Sequence, residues 1–369
     1  MPRLRLVFAV QGDGRGHLTQ SLAVQDIARA AGHEVAGFLV GATPTRTLPA
    51  FFRAKALAPI REFSALTFHT DKRNRGISMM RTIFGNVRRT RAFLASLRAV
   101  RRAVREWKPD VIVNFYEPLV GLAARLTRPR PRMIAVGHQF LLEHPAFPYP
   151  RRRKADRAAL RAYSRFVAPK PTRKLALSFR PMPDVPKKRI HVVPPLLRPE
   201  VFQHPLGVHE DFILVYLLKS GYAEVIRAWH AAHPDVRLHC FTDRPQDEDE
   251  VRVDDTLSFH RLSDVKFLDL MSRCRGLVTT AGFESSCEAM WFGKPVMAVP
   301  VERHYEQMCN ARDAERAGAG IAAKHFDLDR FLAYIPTHPT DPEPFRAWAR
   351  SAGDVFVEEI ERAATGYNI

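Results

Sequence analysis

The chain has 369 residues, 46% of them hydrophobic, and a formal net charge of +18 at pH 7. That length exceeds one ordinary core and fits two domains, and that composition is globular, which excludes a disordered or fibrous chain. No run approaches the roughly 18 uninterrupted apolar residues of a membrane span, and four cysteines without CxxC spacing read as reduced, mostly buried thiols rather than a disulfide frame or a zinc site.

The first element is "LRLVFAV", a short apolar run of the kind a buried parallel strand shows. It leads into glycines rather than a small-residue cleavage site, so no secretion signal is expected. The glycine stretch is "QGDGRGHLTQ", Gln11 to Gln20. A dinucleotide fingerprint would need G-x-G-x-x-G and a carboxylate about 20 positions on. Here Gly12, Gly14 and Gly16 alternate, His17 stands where a third fingerprint glycine belongs, and the second strand ends "FLVGATPTR" without a carboxylate. No Lys-Ser/Thr follows, so a Walker loop is excluded as well. A strand–glycine loop–helix unit with His17 at the helix start remains. Glycines allow close approach of a ligand, helix N–H groups suit an anion, and a histidine there can serve as a general base in its neutral form. A histidine that merely caps the helix is the plain alternative.

"SLAVQDIARAAG" has helical spacing at Leu22, Ile27 and Ala30, with Gly32 as a stop. "HEVAGFLVG" reads as a second strand, followed later by "PDVIVNF", "PRMIAVG" and "SRFVAPK". Between them a helix is expected over about 86–107, with an apolar stripe of Val87, Phe93, Leu94, Leu97, Val100, Val104 and Trp107. This is the rhythm of a doubly wound α/β sheet. Residues 169–205 carry nine prolines, which predict a semi-rigid connection and a boundary near Pro199.

The rhythm then restarts with "DFILVYLL", a helix from about Ala223, "VRLHCFT", "TLSFHRL", the helix "DVKFLDLMSRC", "GLVTTAG", the helix "ESSCEAMWFG", "PVMAVPV" and the helix "YEQMCNARDAERAG". A last amphipathic helix is expected at about 343–365. The predicted domains are therefore 1–199, 200–340, and a C-terminal helix within 341–369 that returns to the first.

Charge follows the same division. Residues 1–200 hold 39 Lys and Arg against 12 Asp and Glu, a surplus of 27, whereas residues 201–369 hold 18 against 27, a deficit of 9. Residues 72–105 contain 11 basic and no acidic side chains, and residues 151–174 contain 10 and one. Such a field attracts polyanions or anionic membrane surfaces. An arginine-rich coding bias is the bland reading, and it does not explain the acidic second half.

The segment "TTAGFESSCEAMWFGKPVMAVPVERHYEQMCNA", 279–311, carries the most specific pattern. Hydroxyls and N–H groups at a helix start can hold a diphosphate, and a carboxylate one turn in can take a ribose diol. Singly, each residue is ordinary for a helix start. Together Gly282, Ser285, Glu288, Gly293, Pro295, Pro300, Glu306, Gln307, Asn310 and Ala311 resemble the sugar-nucleotide signature of GT-B glycosyltransferases, G-x-x-S/T-x-x-E, G-x-P, P and D/E/Q-Q-x-x-N-A. The run ending at His17 is similar to the N-terminal loop of the N-acetylglucosaminyltransferase that completes lipid II and of UDP-glycosyltransferases in general. "VVPPLLRPEV" resembles their interdomain linker.

The resemblance implies a GT-B fold, two Rossmann-like doubly wound domains facing across a cleft. It implies an inverting, metal-independent glycosyltransferase that moves a sugar from a nucleotide-sugar, a UDP-sugar by preference, to an acceptor hydroxyl. His17 matches the general base. Gly14 and Gly16 match the loop facing diphosphate and acceptor. Gly282, Ser285 and Ser286 match the phosphate-binding turn, Glu288 the ribose carboxylate, and Glu306 with Gln307 the pair that reads sugar hydroxyls. In "YLLKSG", Ser220 and Gly221 match a further phosphate loop, with Lys219 where small residues are usual. Thr280 stands where many relatives have a histidine. Glu117 in "VIVNFYEP" is expected to orient His17, with a passive loop carboxylate as its alternative. No cofactor is expected, the nucleotide-sugar being a co-substrate, and no metal pair is placed; "DRPQDEDEVRVDD" reads as a solvated loop.

The basic first half, with Met79, Met80, Ile83 and Phe84 amid arginines, suits a lipid-linked or anionic acceptor, and a cytoplasmic protein peripheral at the inner membrane face. Three alternatives stay open: a soluble metabolite as acceptor, a non-hydrolysing UDP-sugar 2-epimerase, and a non-catalytic polyanion-binding protein. Nucleic acid is not expected, because the basic runs lack interleaved aromatics.

Overall fold

The computed structural model of the chain describes residues 2–43, 47–65, 90–150, 153–217, 221–242, 248–302, 304–339 and 341–365. Ser220, Lys219, Met79, Met80, Ile83, Phe84 and Val87 lie outside the described residues. The chain divides into two compact units. One comprises Met1–Phe147, Arg152–Arg198 and Arg350–Ile369; the other comprises Pro148–Arg151 and Pro199–Ala349.

The first unit is built on a seven-stranded parallel sheet. Its strands are β1 (Arg5–Gln11), β2 (Glu34–Ala42), β3 (Ile60–Ser64), β4 (Val111–Phe115), β5 (Arg132–Val136), β6 (Arg173–Leu177) and β7 (Ile190–Val193), in the order β3-β2-β1-β4-β5-β6-β7. The helices are α1 (Arg15–Ala30), α2 (Ala50–Lys55), α3 (Thr90–Trp107), α4 (Pro118–Leu126) and α5 (Lys154–Val167). The central strands are buried on both faces, which is why "LVFAV" and "VIVNF" are apolar without alternation. Phe8 packs edge-on to Phe38 and Phe115 at 5.4 and 5.7 Å between ring centres, and Phe38 to Phe52 at 5.3 Å. Each such ring contributes roughly 2–3 kcal/mol through burial. Gly32, at φ +83°, stops α1 as its position suggested.

Three expectations need correction. "SRFVAPK" is not a strand: Ser164 and Val167 are the buried face of the last turns of α5, and the strand is the next apolar run, "RKLAL". The proline-rich stretch is not only a connection. Its prolines fall at 169–171, 181–186 and 194–205, between and around β6 and β7, whose own residues contain none. In α3, Val100, Val104 and Trp107 are buried as expected, but Leu94 is 40% exposed.

The second unit repeats the plan with β8 (Ile213–Tyr216), β9 (Leu238–Phe241), β10 (Glu250–Arg252), β11 (Leu257–His260), β12 (Gly276–Thr279), β13 (Val296–Ala298) and β14 (Gly320–Ala322). The order is β10-β11-β9-β8-β12-β13-β14, all parallel except β10. The helices are α6 (Gly221–Ala232), α7 (Asp264–Arg273), α8 (Phe283–Trp291), α9 (Tyr305–Arg316), α10 (Leu328–Tyr334) and α11 (Glu343–Arg350). Val215, Val278, Met297 and Phe331 sit in one buried cluster. The acidic stretch read as a loop holds β10, whose Glu250 pairs with Lys266 of α7 at 2.7 Å.

The C-terminal helix expected at 343–365 is two helices, α11 and α12 (Ala352–Thr365), broken at Ser351, where Ser and Gly353 weaken helix propensity. Helix α12 packs on α1, β4, β5 and β7 of the first unit. Arg173 of β6 meets Glu359 of α12 at 2.9 Å, with side chains only 4% and 7% exposed. Losing one partner of such a pair would strand a buried charge, at about 3–5 kcal/mol.

Candidate functional site

In each sheet the chain reverses direction of travel at the first strand of the unit. β1 lies between β2 and β4, and β8 lies between β9 and β12. The crevice outside the carboxyl ends at such a switch is where open α/β sheets bind ligands. The loops there are 12–14 and 116–117 in the first unit, and the turn at 280–282 in the second. Both motifs singled out in the sequence fall at these ends.

In the first unit, the loop after β1 is drawn onto β2. The Gly12 N–H donates to the Gly41 carbonyl at 2.8 Å, and a Cβ on Gly12 would stand 2.6 Å from that oxygen. Only glycine permits this approach. Asp13 accepts a bond from the Thr43 hydroxyl at 2.9 Å. Helix α1 then starts at Arg15, with Gly14 as its N-cap, so Gly16 and His17 are in its first turn. His17 Nδ1 is 3.3 Å from Gln20 Oε1, one turn along the helix. An amide oxygen can only accept, so Nδ1 carries the hydrogen and Nε2 holds the basic lone pair. The ring stacks on Tyr116 at 5.8 Å, 22° between planes. Tyr116 takes a left-handed backbone (φ +61°) and its hydroxyl bonds Ser164 at 2.8 Å. The imidazole is thus oriented by two residues that the sequence reading did not single out. Gln20 was findable, since positions three apart share a helix face; Tyr116 carried no signal.

Glu117 does not hold His17 in the structure. It caps α4: its Oε1 accepts from the Leu119 N–H at 2.9 Å, and Oε2 is buried without a hydrogen-bond partner. Glycine at 41 leaves the carboxyl its room, since a Cβ there would lie 2.2 Å from Oε2. Burial, reinforced by the nearby Asp13 charge and opposed by the Leu119 N–H, raises the Glu117 carboxyl to about 8. Folding therefore favours the protonated form. The stability this contributes is complete below the ordinary carboxylate range and is lost as pH rises through about 8, at about 1.4 kcal/mol per unit. Glu117→Gln keeps the shape and removes the titration. The variant should match the parent in melting temperature near about pH 4 and exceed it by several degrees near about pH 9. Parallel melting curves across that range would refute the assignment.

In the second unit, β12 ends at Thr279 and the turn passes through Ala281, which is left-handed at φ +58°. The Asn310 amide donates to the Ala281 carbonyl at 3.3 Å, which steadies this strained position from α9. Gly282 is the N-cap of α8 and offers no side chain to its N–H groups. The Ser286 hydroxyl donates to the Gly282 carbonyl at 2.9 Å, and Ser285 Oγ lies 3.3 Å from Thr279 Oγ1. Thr280, Ser285, Ser286 and Glu288 are all under 10% exposed, whereas Gly282 is half-buried. The signature therefore forms one compact turn with first-turn N–H groups, a cluster of hydroxyls and a carboxylate one turn in. His304 caps α9 through the Gln307 N–H at 3.3 Å, and Gln307 Oε1 accepts from the Val301 N–H at 2.8 Å, so this glutamine also ties the loop before α9. Glu306 is half-buried in the first turn of α9, and Gly221 is exposed at the start of α6.

Among the described residues no group of three or more His, Cys, Asp or Glu is placed to hold a metal ion, and no helix is long and apolar enough to cross a membrane. All four cysteines are buried, and none is in a disulfide.

Against known proteins, the family model described as Glycosyl transferase family 1 matches residues 4–337. No curated protein matches the sequence. Among solved structures, the glycotransferase of kitacinnamycin is similar at 19% identity, covering 98% of this chain and 100% of that one, with a TM-score of 0.65. UGT2 of Phytolacca americana, complexed with UDP-2-fluoroglucose and pterostilbene, is similar at 12% identity over 100% of both chains, with a TM-score of 0.64. MurG of Acinetobacter baumannii is similar at 16% identity over 98% of this chain and 100% of that one, with a TM-score of 0.56. At these identities the likeness speaks for the fold, two Rossmann-like α/β domains.

Proposed function

The chain belongs to glycosyl transferase family 1, and from that premise we propose that it is an inverting transferase that moves a sugar from a UDP-sugar to an acceptor hydroxyl with His17 as general base. The observation that carries this is the pairing of His17 Nδ1 with Gln20 Oε1, which leaves Nε2 as the proton acceptor. The base takes the acceptor proton as the oxygen attacks the anomeric carbon. The nucleoside diphosphate leaves with the glycosidic electron pair, its charge met by N–H groups and hydroxyls around Gly282, Ser285 and Ser286 and by the loop of Ser220 and Gly221. Glu288 takes the ribose diol; Glu306 and Gln307 read sugar hydroxyls; Thr280 stands beside the diphosphate; Gly14 and Gly16 give the substrates room. Uridine is supported by the UDP-sugar analogue in the Phytolacca relative.

The acceptor is proposed to be lipid-linked or anionic, presented at an anionic membrane surface on the cytoplasmic side. Support comes from the first unit: Arg91, Arg98, Arg102 and Arg105 on α3, and Lys154, Arg157 and Arg165 on α5, are exposed, and Phe166 stands 45% exposed among the latter.

The test is a screen of nucleotide-sugars by diphosphate release, with and without an anionic lipid extract and with a chelator in parallel. Release from a UDP-sugar that depends on lipid extract and survives chelation is the expected result. Release without lipid but with a soluble aglycone would overturn the acceptor. Conversion of the donor to its 2-epimer without acceptor would overturn the transfer.

A further inference from the structure

The second unit contains a cavity of about 570 Å³ at the end of the sheet away from the signature turn. Arg275 immediately precedes β12 and Thr280 follows it. Five steps of extended chain separate them, roughly 16 Å. The walls come from distant parts of the sequence: Leu206 and His209 ahead of β8, Arg275, Phe292 at the end of α8, His338 beyond α10, and Arg346 on α11. The volume is that of a small-molecule site.

The polar part of this wall is one-sided. Arg275, Arg346, His209 and His338 line the cavity, and no Asp or Glu does among the described residues. Arg275 is kept near the surface by Asp211 at 2.6 Å. Arg346 is 12% exposed, and its Nε donates to the Trp291 carbonyl at 2.8 Å, with Glu343 3.4 Å from Nη1.

Behind His209 lies Lys294, 1% exposed, whose ammonium donates to the Val208 carbonyl and, at 3.2 Å, to His209 Nδ1. Because Nδ1 accepts, His209 carries its hydrogen on Nε2 and is a donor there. Burial and the Lys294 charge keep this histidine neutral by lowering its basicity. No carboxylate pairs with Lys294 among the described residues. A buried cation without an anion is an expensive arrangement. An anion in the cavity would relieve it through the imidazole.

Leu206 and Phe292 supply the apolar part of the same wall. We propose that this cavity binds a small organic anion with an apolar ring, a phosphate monoester or carboxylate. Its acid group meets Arg275, Arg346 and the His209 Nε2–H, and its ring lies against Leu206 and Phe292. The site is separate from the donor turn and does not depend on the identity of the transferred sugar.

The probe is phenyl phosphate, titrated calorimetrically into the full chain in the presence of excess UDP, with inorganic phosphate and phenol as controls. Phenyl phosphate should bind one per chain at millimolar concentration or below, inorganic phosphate more weakly, and phenol not at all. Arg275→Gln and, separately, Arg346→Gln should each weaken the probe roughly tenfold or more. Arg275 is a surface residue, so Arg275→Gln should keep the parent's melting temperature and still bind UDP unchanged. No binding to the parent chain, displacement by UDP, or an unchanged affinity in a folded Arg275→Gln variant would each overturn the proposal.

Discussion

His17→Ala is expected to lower kcat by roughly 10²–10⁴ while leaving the KM for the nucleotide-sugar close to that of the parent. The expectation rests on geometry as much as on residue type. His17 sits in the first turn of its helix, with Gln20 on Nδ1 and Tyr116 against its face. A histidine kept only for capping would not need a partner that selects one tautomer. Side-chain loss removes the proton acceptor together with the Gln20 bond and the Tyr116 contact, and the fold should tolerate this because the residue is only half-buried. The rate of diphosphate release under saturating acceptor is the direct measure, and its dependence on pH adds a second. In the parent the acid limb of kcat/KM reports a base that must be deprotonated; in His17→Ala that limb should vanish. Gln20→Leu should fall between the two, because stacking on Tyr116 survives while the tautomer is no longer held. Turnover of His17→Ala at the parental rate would remove the residue from the mechanism.

Glu288→Gln should act on the donor instead. A carboxylate that accepts two bonds from a ribose diol is worth about 1.5–3 kcal/mol over a neutral partner. The substitution should therefore raise the KM for the nucleotide-sugar roughly 10- to 100-fold. Glu288 is 4% exposed on α8, so the near-isosteric glutamine is the informative change and a melting curve is the necessary control. The sharper form of the test pairs the variant with a 2′-deoxyribose donor. The parent should lose about the same factor when the 2′-hydroxyl is removed, and Glu288→Gln should barely respond. Independent, additive losses would mean that Glu288 holds the fold of the turn rather than the sugar.

The parts of this molecule that were legible in its sequence are those with local causes. Short apolar runs gave away β1, β4 and β12, because a strand buried on both faces has no alternation to confuse it. The signature at 282–311 was legible because its residues are close in sequence. Where distance matters, the reading failed. "SRFVAPK" has a strand's composition, but its own Ser164 and Val167 continue the buried face of α5, so it is a helix end. Glu117 is adjacent in sequence to the residue that stacks on His17, yet its carboxyl turns inward to cap α4. The ring stacking depends on a left-handed Tyr116, which no composition rule anticipates. The cavity of the second unit draws on residues from 206 to 346, and no motif links them.

The three alternating glycines after β1 turn out not to be equivalent. Gly12 is required by the chain itself, because the Gly41 carbonyl occupies the space of any side chain. Gly14 sits at an ordinary extended backbone angle, and among the described residues nothing beyond its own chain neighbours lies within 4 Å of where its Cβ would be. Among the described residues, then, the fold itself imposes no glycine there. Under the proposed function, position 14 is where the loop leaves room for the substrates. On that proposal the two neighbouring glycines meet different demands, one from the fold and one from the substrate. In descendants of this protein they should drift independently: a change of acceptor would rewrite position 14 while position 12 stays as it is.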